Sequence, residues 1–219
     1  MSKIVPIRPF LLILYGYPGS GKTYFSRQFC ESIQAAHLQS DRIRVELFEK
    51  PRYDKQENAI TNQLQNYMAE EFLSAGLSVV YDTNAMRSGQ RKALSEMARK
   101  YHAQPILVWM QIDIESCFSR NVKRDRRRAD DKYSTQWDRT TFENIIGHMQ
   151  NPNPSENFIV ISGKHQYPTQ RNAVITSMRD KGVLSINDSA DNMVKPGMVN
   201  LIPGSSGRVD MTRRNILIR

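Results

Sequence analysis

Phe10-Leu11-Leu12-Ile13-Leu14-Tyr15 runs without a break into Gly16-Tyr17-Pro18-Gly19-Ser20-Gly21-Lys22-Thr23. Six consecutive apolar residues predict a strand covered on both faces, as in the middle of a parallel sheet. The next eight fit the pattern G-x-x-x-x-G-K-[ST]. Glycines let the backbone curl until its N–H groups converge on an oxyanion, a shape that side chains would block. The helix that follows adds free N–H groups and the positive end of its dipole. In this geometry Lys22 reaches the β- and γ-phosphates of a nucleoside triphosphate, and the Thr23 hydroxyl takes Mg²⁺. A glycine turn that binds nothing is the competing reading, and the strand before and helix after weigh against it. Gly16, Tyr17, Pro18, Gly19, Ser20, Gly21, Lys22 and Thr23 are the candidate ATP-binding residues.

Outward from the loop, strands and helices alternate. A helix is expected to about Ala36, a short strand at His37–Gln39, and a helix at Asp41–Phe48 started by Ser40-Asp41. A long helix follows the break at Pro51–Asp54, with Ile60, Leu64, Tyr67, Met68 and Phe72 on its apolar face. Leu77–Tyr81, Pro105–Gln111 and Phe158–Ser162 read as strands; Ser88–Tyr101, Ile114–Arg128, Gln136–Gln150 and Thr169–Lys181 read as helices. The alternation implies right-handed crossovers and an α/β fold, a three-layer P-loop domain with about five parallel strands. The expected domain spans 1–182. Residues 183–219 form a C-terminal extension whose apolar pieces, Met198–Ile202 and Ile216–Ile218, are either two strands or an arm.

Three further clusters lie where ligands meet such a sheet, beyond the carboxyl ends of its strands. Asp41-Arg42-Ile43-Arg44 follows the second strand. A carboxylate there can take a proton from a hydroxyl nucleophile, and Arg44 shares its helical face. A helix cap and a solvated charge would have the same sequence. Asp82-Thr83-Asn84 ends the third strand, where an acidic residue holds Mg²⁺ directly or through water; it is also good turn chemistry. The segment from Arg120 to Lys132 has seven basic and three acidic residues. It is either a lid that closes on ATP or a solvated face.

Composition sets the outer bounds. The 219 residues carry a net charge of +9, are 39% apolar and 24% charged, and so read as a globular chain with an anionic partner. The apolar run at Phe10 is too short to cross a bilayer and has no cleavage site, so no membrane partner and no signal peptide are expected. Two cysteines, Cys30 and Cys117, argue against a disulfide scaffold and for a cytoplasmic location. The oligomeric state stays open.

Taken in order, the P-loop, Ser40-Asp41-Arg42-Ile43-Arg44, Asp82-Thr83-Asn84 and Arg120-Asn121-Val122-Lys123-Arg124 resemble the kinase domain of phage polynucleotide kinase. They also resemble the wider zeta-toxin-like and "AAA domain" P-loop kinases. Asn153-Pro154-Ser155-Glu156 is similar to the Pro-x-x-Glu that many of these carry. The resemblance covers about residues 8–165. It implies that Lys22, Ser20 and Thr23 hold ATP and Mg²⁺, that Asp41 is the general base, and that Arg44 contacts an acceptor phosphate. It further implies that Asp82 supports the metal or acceptor, and that Arg120 and Arg124 act from the lid.

The function expected is ATP-dependent transfer of the γ-phosphoryl group to a hydroxyl-bearing acceptor, first a polynucleotide 5′-OH. The alternatives are a zeta-toxin-like kinase of a small molecule (nucleotide sugar, nucleoside or antibiotic) and an ATPase or ATP-binding switch module. Charge does not decide among them: about four units belong to the lid segment and two to the extension.

Overall fold

The computed structural model describes residues 3–84, 86–129 and 131–185. Strand β1 (Phe10–Tyr15) is buried along its whole length. It lies at the centre of a five-stranded sheet with β2 (Ala36–Gln39), β3 (Val79–Asp82), β4 (Gln104–Gln111) and β5 (Phe158–Ser162), in the order β2-β3-β1-β4-β5. Every pairing is parallel. The six apolar residues of β1 alternate between two cores. Phe10, Leu12 and Leu14 pack on one face with Phe25, Phe29 and Val174, while Leu11, Ile13 and Tyr15 pack on the other with Leu73 and Leu94. Burying each of these side chains contributes about 1.5–3 kcal/mol, so the strand that leads into the glycine loop is also a main source of stability.

Helices α1 (Lys22–Ser32), α2 (Ser40–Leu47), α3 (Lys55–Ser74), α4 (Ser88–Lys100), α5 (Ile114–Val122), α6 (Arg139–Gly147) and α7 (Tyr167–Asp180) connect and cover the strands. Packing runs past Gly182, because Val183 and Leu184 are buried in the first core. The apolar pieces expected at Met198–Ile202 and Ile216–Ile218 lie outside the described residues. No described helix is long and apolar enough to cross a membrane.

The structure corrects three local expectations. First, the carboxyl ends of the first and second strands, expected to lie near each other, are separated by β3, and Asp82 at the tip of β3 stands between them. Second, α3 does not bury the stripe Ile60, Leu64, Tyr67: Ile60 is 42% and Tyr67 61% exposed. Glu57, Thr61, Gln65, Ala69 and Leu73 are buried instead. The first half of this helix packs on backbone rather than on core. Gln65 Nε2 donates to the Leu38 carbonyl, and Glu57 accepts from the backbone N–H groups of Arg52 and Tyr53. Hydrogen bonds replace apolar contact there, which hydrophobic periodicity does not register.

Third, the basic helix predicted to Arg128 stops at Val122. Continued as a helix, it would set Lys123 against Arg127 and Arg124 against Arg128 at i,i+4, where like charges repel. The described residues 123–129 and 131–138 form turns and loop instead (the 123–138 loop). Asn121 closes it, donating from Nδ2 to the Trp137 carbonyl at 2.8 Å and accepting from the Trp137 N–H at 3.3 Å.

Candidate functional site

Gly16 to Thr23 forms one end of an open cleft of about 1460 Å³ above the carboxyl ends of the strands. The loop is shaped by close approach. Gly19 has a φ of 86°, which L side chains resist, and a Cβ there would collide with the Cys117 carbonyl. A Cβ on Gly163, just past β5, would come 2.6 Å from the Ser20 carbonyl, so the far edge of the sheet also presses on the loop. Ser20 Oγ is buried with no hydrogen-bond partner, an unsatisfied polar atom inside a phosphate-type cradle. Lys22 Nζ donates to the carbonyls of Gly16 at 2.6 Å and Tyr17 at 2.9 Å. Its burial lowers its pKa to about 8, against the opposing pull of Asp82.

Thr23 Oγ1 lies 3.4 Å from Asp82 Oδ1. A hydroxyl and a carboxylate at the start of α1 are hard oxygen donors of the kind Mg²⁺ takes, so these two residues fit the ion. Among the described residues there is no cluster of three or more His, Cys, Asp and Glu for a metal. A P-loop site does not need one, because phosphate oxygens complete the shell. The second carboxylate oxygen of Asp82 accepts from His37 Nε2 at 3.0 Å. His37 is one of four histidines scattered in the sequence; the pairing of His37 with Val80 in the β2–β3 register brings it beside Asp82.

Asp41 is not a helix cap. Helix α2 begins at Ser40, Gln39 is its cap residue, and no side chain makes a capping bond. Among the described residues the Asp41 carboxylate accepts no hydrogen bond. Its pKa is raised to about 6, first by burial and then by the nearby negative charge of Asp82, while Arg124, Arg44 and Lys22 pull it down. Five groups from β3, α1, α2 and the 123–138 loop thus share one electrostatic neighbourhood.

The arginines differ in placement. Arg44 is buried and engaged: Nη1 meets Glu57 at 3.5 Å, Nη2 donates to Asn58 Oδ1 at 2.6 Å, and the guanidinium lies 4.5 Å from the Tyr53 ring centre. Arg120 Nη1 donates to the Gly163 carbonyl at 3.0 Å, on the β5 side of the P-loop. Arg124 donates to the Thr135 carbonyl, and burial lowers its pKa. Thr135 in turn meets the Tyr53 hydroxyl, and the Trp137 ring packs edge-on to Tyr53 with centroids 4.9 Å apart. The 123–138 loop therefore rests on the segment before α3, and Lys22, Asp41, Arg44, Asp82, Arg120 and Arg124 all line one cleft.

Glu156 of the Pro-x-x-Glu segment is a structural residue. Its carboxylate takes two hydrogen bonds from Arg91, at 2.6 and 2.9 Å. Arg91 is 1% exposed and lies 5.0 Å from the Tyr15 ring centre.

Residues 11–152, well over half the chain, match the family model described as AAA domain. The chain belongs to that family. This AAA domain chain is 21% identical over 119 residues to an L-seryl-tRNA(Sec) kinase of Methanococcus maripaludis. That match covers 53% of this chain and 47% of the relative, so the chain spans about half of the relative's length. Among solved structures it is similar to Chaetomium thermophilum Kti12 in complex with ADP-AlF3, at 17% identity and a TM-score of 0.61 over 80% of this chain and 99% of that one. It is also similar to Mycobacterium tuberculosis APS kinase CysC in complex with AMPPNP and APS, at 19% identity and a TM-score of 0.57 over 78% and 98%. At these identities the two structures establish a shared fold, the α/β parallel-sheet architecture described above.

Proposed function

We propose that this AAA domain protein is an ATP-dependent phosphotransferase that moves the γ-phosphoryl group to an acceptor hydroxyl. One observation carries the reading: Asp41 is an uncapped, unpaired carboxylate with a pKa near 6, held beside the lysine of a phosphate loop. A general base works best when its pKa lies near the working pH, and a structural aspartate has no reason to be kept there. In the proposed reaction Asp41 takes the acceptor proton as the hydroxyl oxygen bonds to the γ-phosphorus. The bond from that phosphorus to the bridging oxygen breaks, and ADP leaves with the bonding pair. Lys22 exchanges the Gly16 and Tyr17 carbonyls for phosphate oxygens, Ser20 Oγ gains a partner, and Arg124 faces the transferring group from the loop. Mg²⁺ held by Thr23 and Asp82 would neutralise phosphate charge. The relatives named as kinases support transfer over plain hydrolysis, and the two free, buried cysteines suit the cytoplasmic location expected from the sequence.

The test is incubation with γ-labelled ATP and Mg²⁺ against 5′-OH RNA, 5′-OH DNA, nucleosides, sugars and nucleotide sugars. Label in an acceptor supports the proposal; label only in free phosphate supports the ATPase or switch reading and rejects it.

A further inference from the structure

The cleft has a second arm that the phosphate site does not use. On α3, Asn58, Asn62 and Asn66 fall at i, i+4 and i+8, so they share one face, and all three line the cleft. Asn58 is occupied by Arg44, and Asn66 Oδ1 accepts from the Tyr81 hydroxyl at 2.6 Å. Among the described residues Asn62 has no hydrogen-bond partner at either carboxamide atom. Beyond β3, Asn84 Oδ1 is buried and also lacks a partner. Leu94 and Met97 of α4 add apolar surface to the lining of the same cleft.

The asparagine face belongs to α3, which packs on β2 and β3, whereas Gly163 and Arg120 flank the loop on the β5 side. It also begins beside Asp41, since Arg44 links α2 to Asn58. A molecule bound there presents its hydroxyl to the base. What the arm offers is a set of uncharged donors and acceptors along about 12 Å of helix, the rise of eight residues, with apolar surface to cover a ring. Of the cations that line this arm, Arg44 is buried and already paired with Glu57, while Arg52 and Arg87 are exposed. Asn62 Oδ1 and Asn84 Oδ1 are open acceptors, which a hydroxyl donor can serve and a phosphodiester oxygen cannot.

We propose that the acceptor is an uncharged, ring-bearing polyol, a free sugar or the ribose of a nucleoside, held by Asn62 together with Asn66 Nδ2 and Asn84 Oδ1, since both ends of Asn58 are already bonded to Arg44 and the Tyr53 carbonyl. The proposal rests on the phosphotransfer reading and narrows it, taking the small-molecule acceptor over the polynucleotide 5′-OH. A carboxamide bonds two neighbouring hydroxyls at once, and a ring face covers Leu94 and Met97.

Two measurements test it. In the labelling panel, label is expected in a neutral nucleoside or monosaccharide arm. With that acceptor, Asn62→Leu should lower kcat/KM by about tenfold while leaving KM for ATP unchanged. Asn62→Ser, which keeps a hydrogen-bonding group, should recover part of the loss. Label confined to oligonucleotides or nucleotide sugars overturns the proposal and leaves phosphotransfer standing. Equal losses toward acceptor and ATP in Asn62→Leu make the residue structural and overturn it as well. If label appears only in free phosphate, phosphotransfer fails, and direct binding then decides the nature of the arm. A neutral nucleoside or sugar that binds protein loaded with a non-hydrolysable ATP analogue, and does not bind Asn62→Leu, supports it. No binding by the wild type rejects it.

Discussion

His37 Nε2 lies 3.0 Å from Asp82 Oδ2, while the other oxygen of the same carboxylate faces Thr23. The imidazole fixes the rotation of the carboxylate, so that Oδ1 points to the start of α1, where a divalent ion would sit. Groups that orient a ligand carboxylate typically matter by 10–100-fold in metal affinity. His37→Ala should therefore raise the Mg²⁺ concentration for half-maximal activity by at least about tenfold, with kcat at saturating Mg²⁺ much less changed. Titration of activity against Mg²⁺ is the check, and an unshifted curve removes His37 from this role.

Asp41→Asn should reduce transfer to the acceptor below detection and leave binding of an ATP analogue nearly intact. In the wild type, kcat/KM should rise with pH and level off above about 6, because the base must be ionised. The same shift predicts stability. The folded pKa of Asp41 is raised, so folding disfavours its charge and the cost grows as pH climbs from about 4 through about 6. Asp41→Asn should be more stable than wild type at pH 7.5, by on the order of 1–3 kcal/mol, with the gap closing toward pH 4. Denaturant titrations at the two pH values would show it. Loss of stability at pH 7.5 would contradict the burial of an unpaired charge.

Lys22 has a pKa lowered to about 8. A triphosphate beside it favours the charged form and raises that value. Binding at pH 8.5–9 should therefore take up protons, visible as a dependence of the calorimetric heat on the ionisation enthalpy of the buffer. Lys22→Met should abolish the uptake and weaken the affinity. Uptake that persists in the variant would assign the proton to another group.

The pair of buried Arg91 and half-buried Glu156 predicts a purely structural phenotype. Arg91→Met leaves the carboxylate and the Met86 and Gln150 carbonyls without their donor and should cost about 1–3 kcal/mol by thermal or denaturant unfolding. Glu156 has a pKa lowered first by its hydrogen bonds from Arg91. The stability that the pair contributes is thus present above the ordinary glutamate value and fades as pH falls below it. Loss of activity in Glu156→Gln without loss of stability would show that the residue acts elsewhere.

The phosphate loop was legible because its chemistry is local. Glycine spacing, the lysine and the threonine are contiguous, and the strand before them is a continuous apolar run. Asp41, Asp82, Arg120 and Arg124 could be named from their positions after successive strands, and the fold brings all four to the cleft that the loop occupies. His37, Tyr53, Asn62 and Gly163 left no such mark. Three of them matter through a neighbour distant in sequence, Asp82 for His37, Thr135 for Tyr53 and the Ser20 carbonyl for Gly163, and Asn62 matters through the cleft it lines. The first part of the apolar stripe expected on α3 also misled, because Glu57 and Gln65 take the buried positions there and bond to backbone through the Glu57 carboxylate and Gln65 Nε2, while Met68 and Phe72 do pack against the core.

The sequence by itself determined the sheet, the loop that closes on phosphate and the order of the charged clusters, since these follow from periodicity and from residues that are neighbours in the chain. Tertiary structure alone decided that β3 stands between β1 and β2, that Arg44 is paired with Glu57, and that a neutral asparagine face leads away from Asp41. Strand order and side-chain pairing are settled by packing and by the cost of leaving buried polar groups unpaired, and both act between residues far apart in the chain. The +9 charge belongs to the first kind of information and the uncharged arm of the cleft to the second.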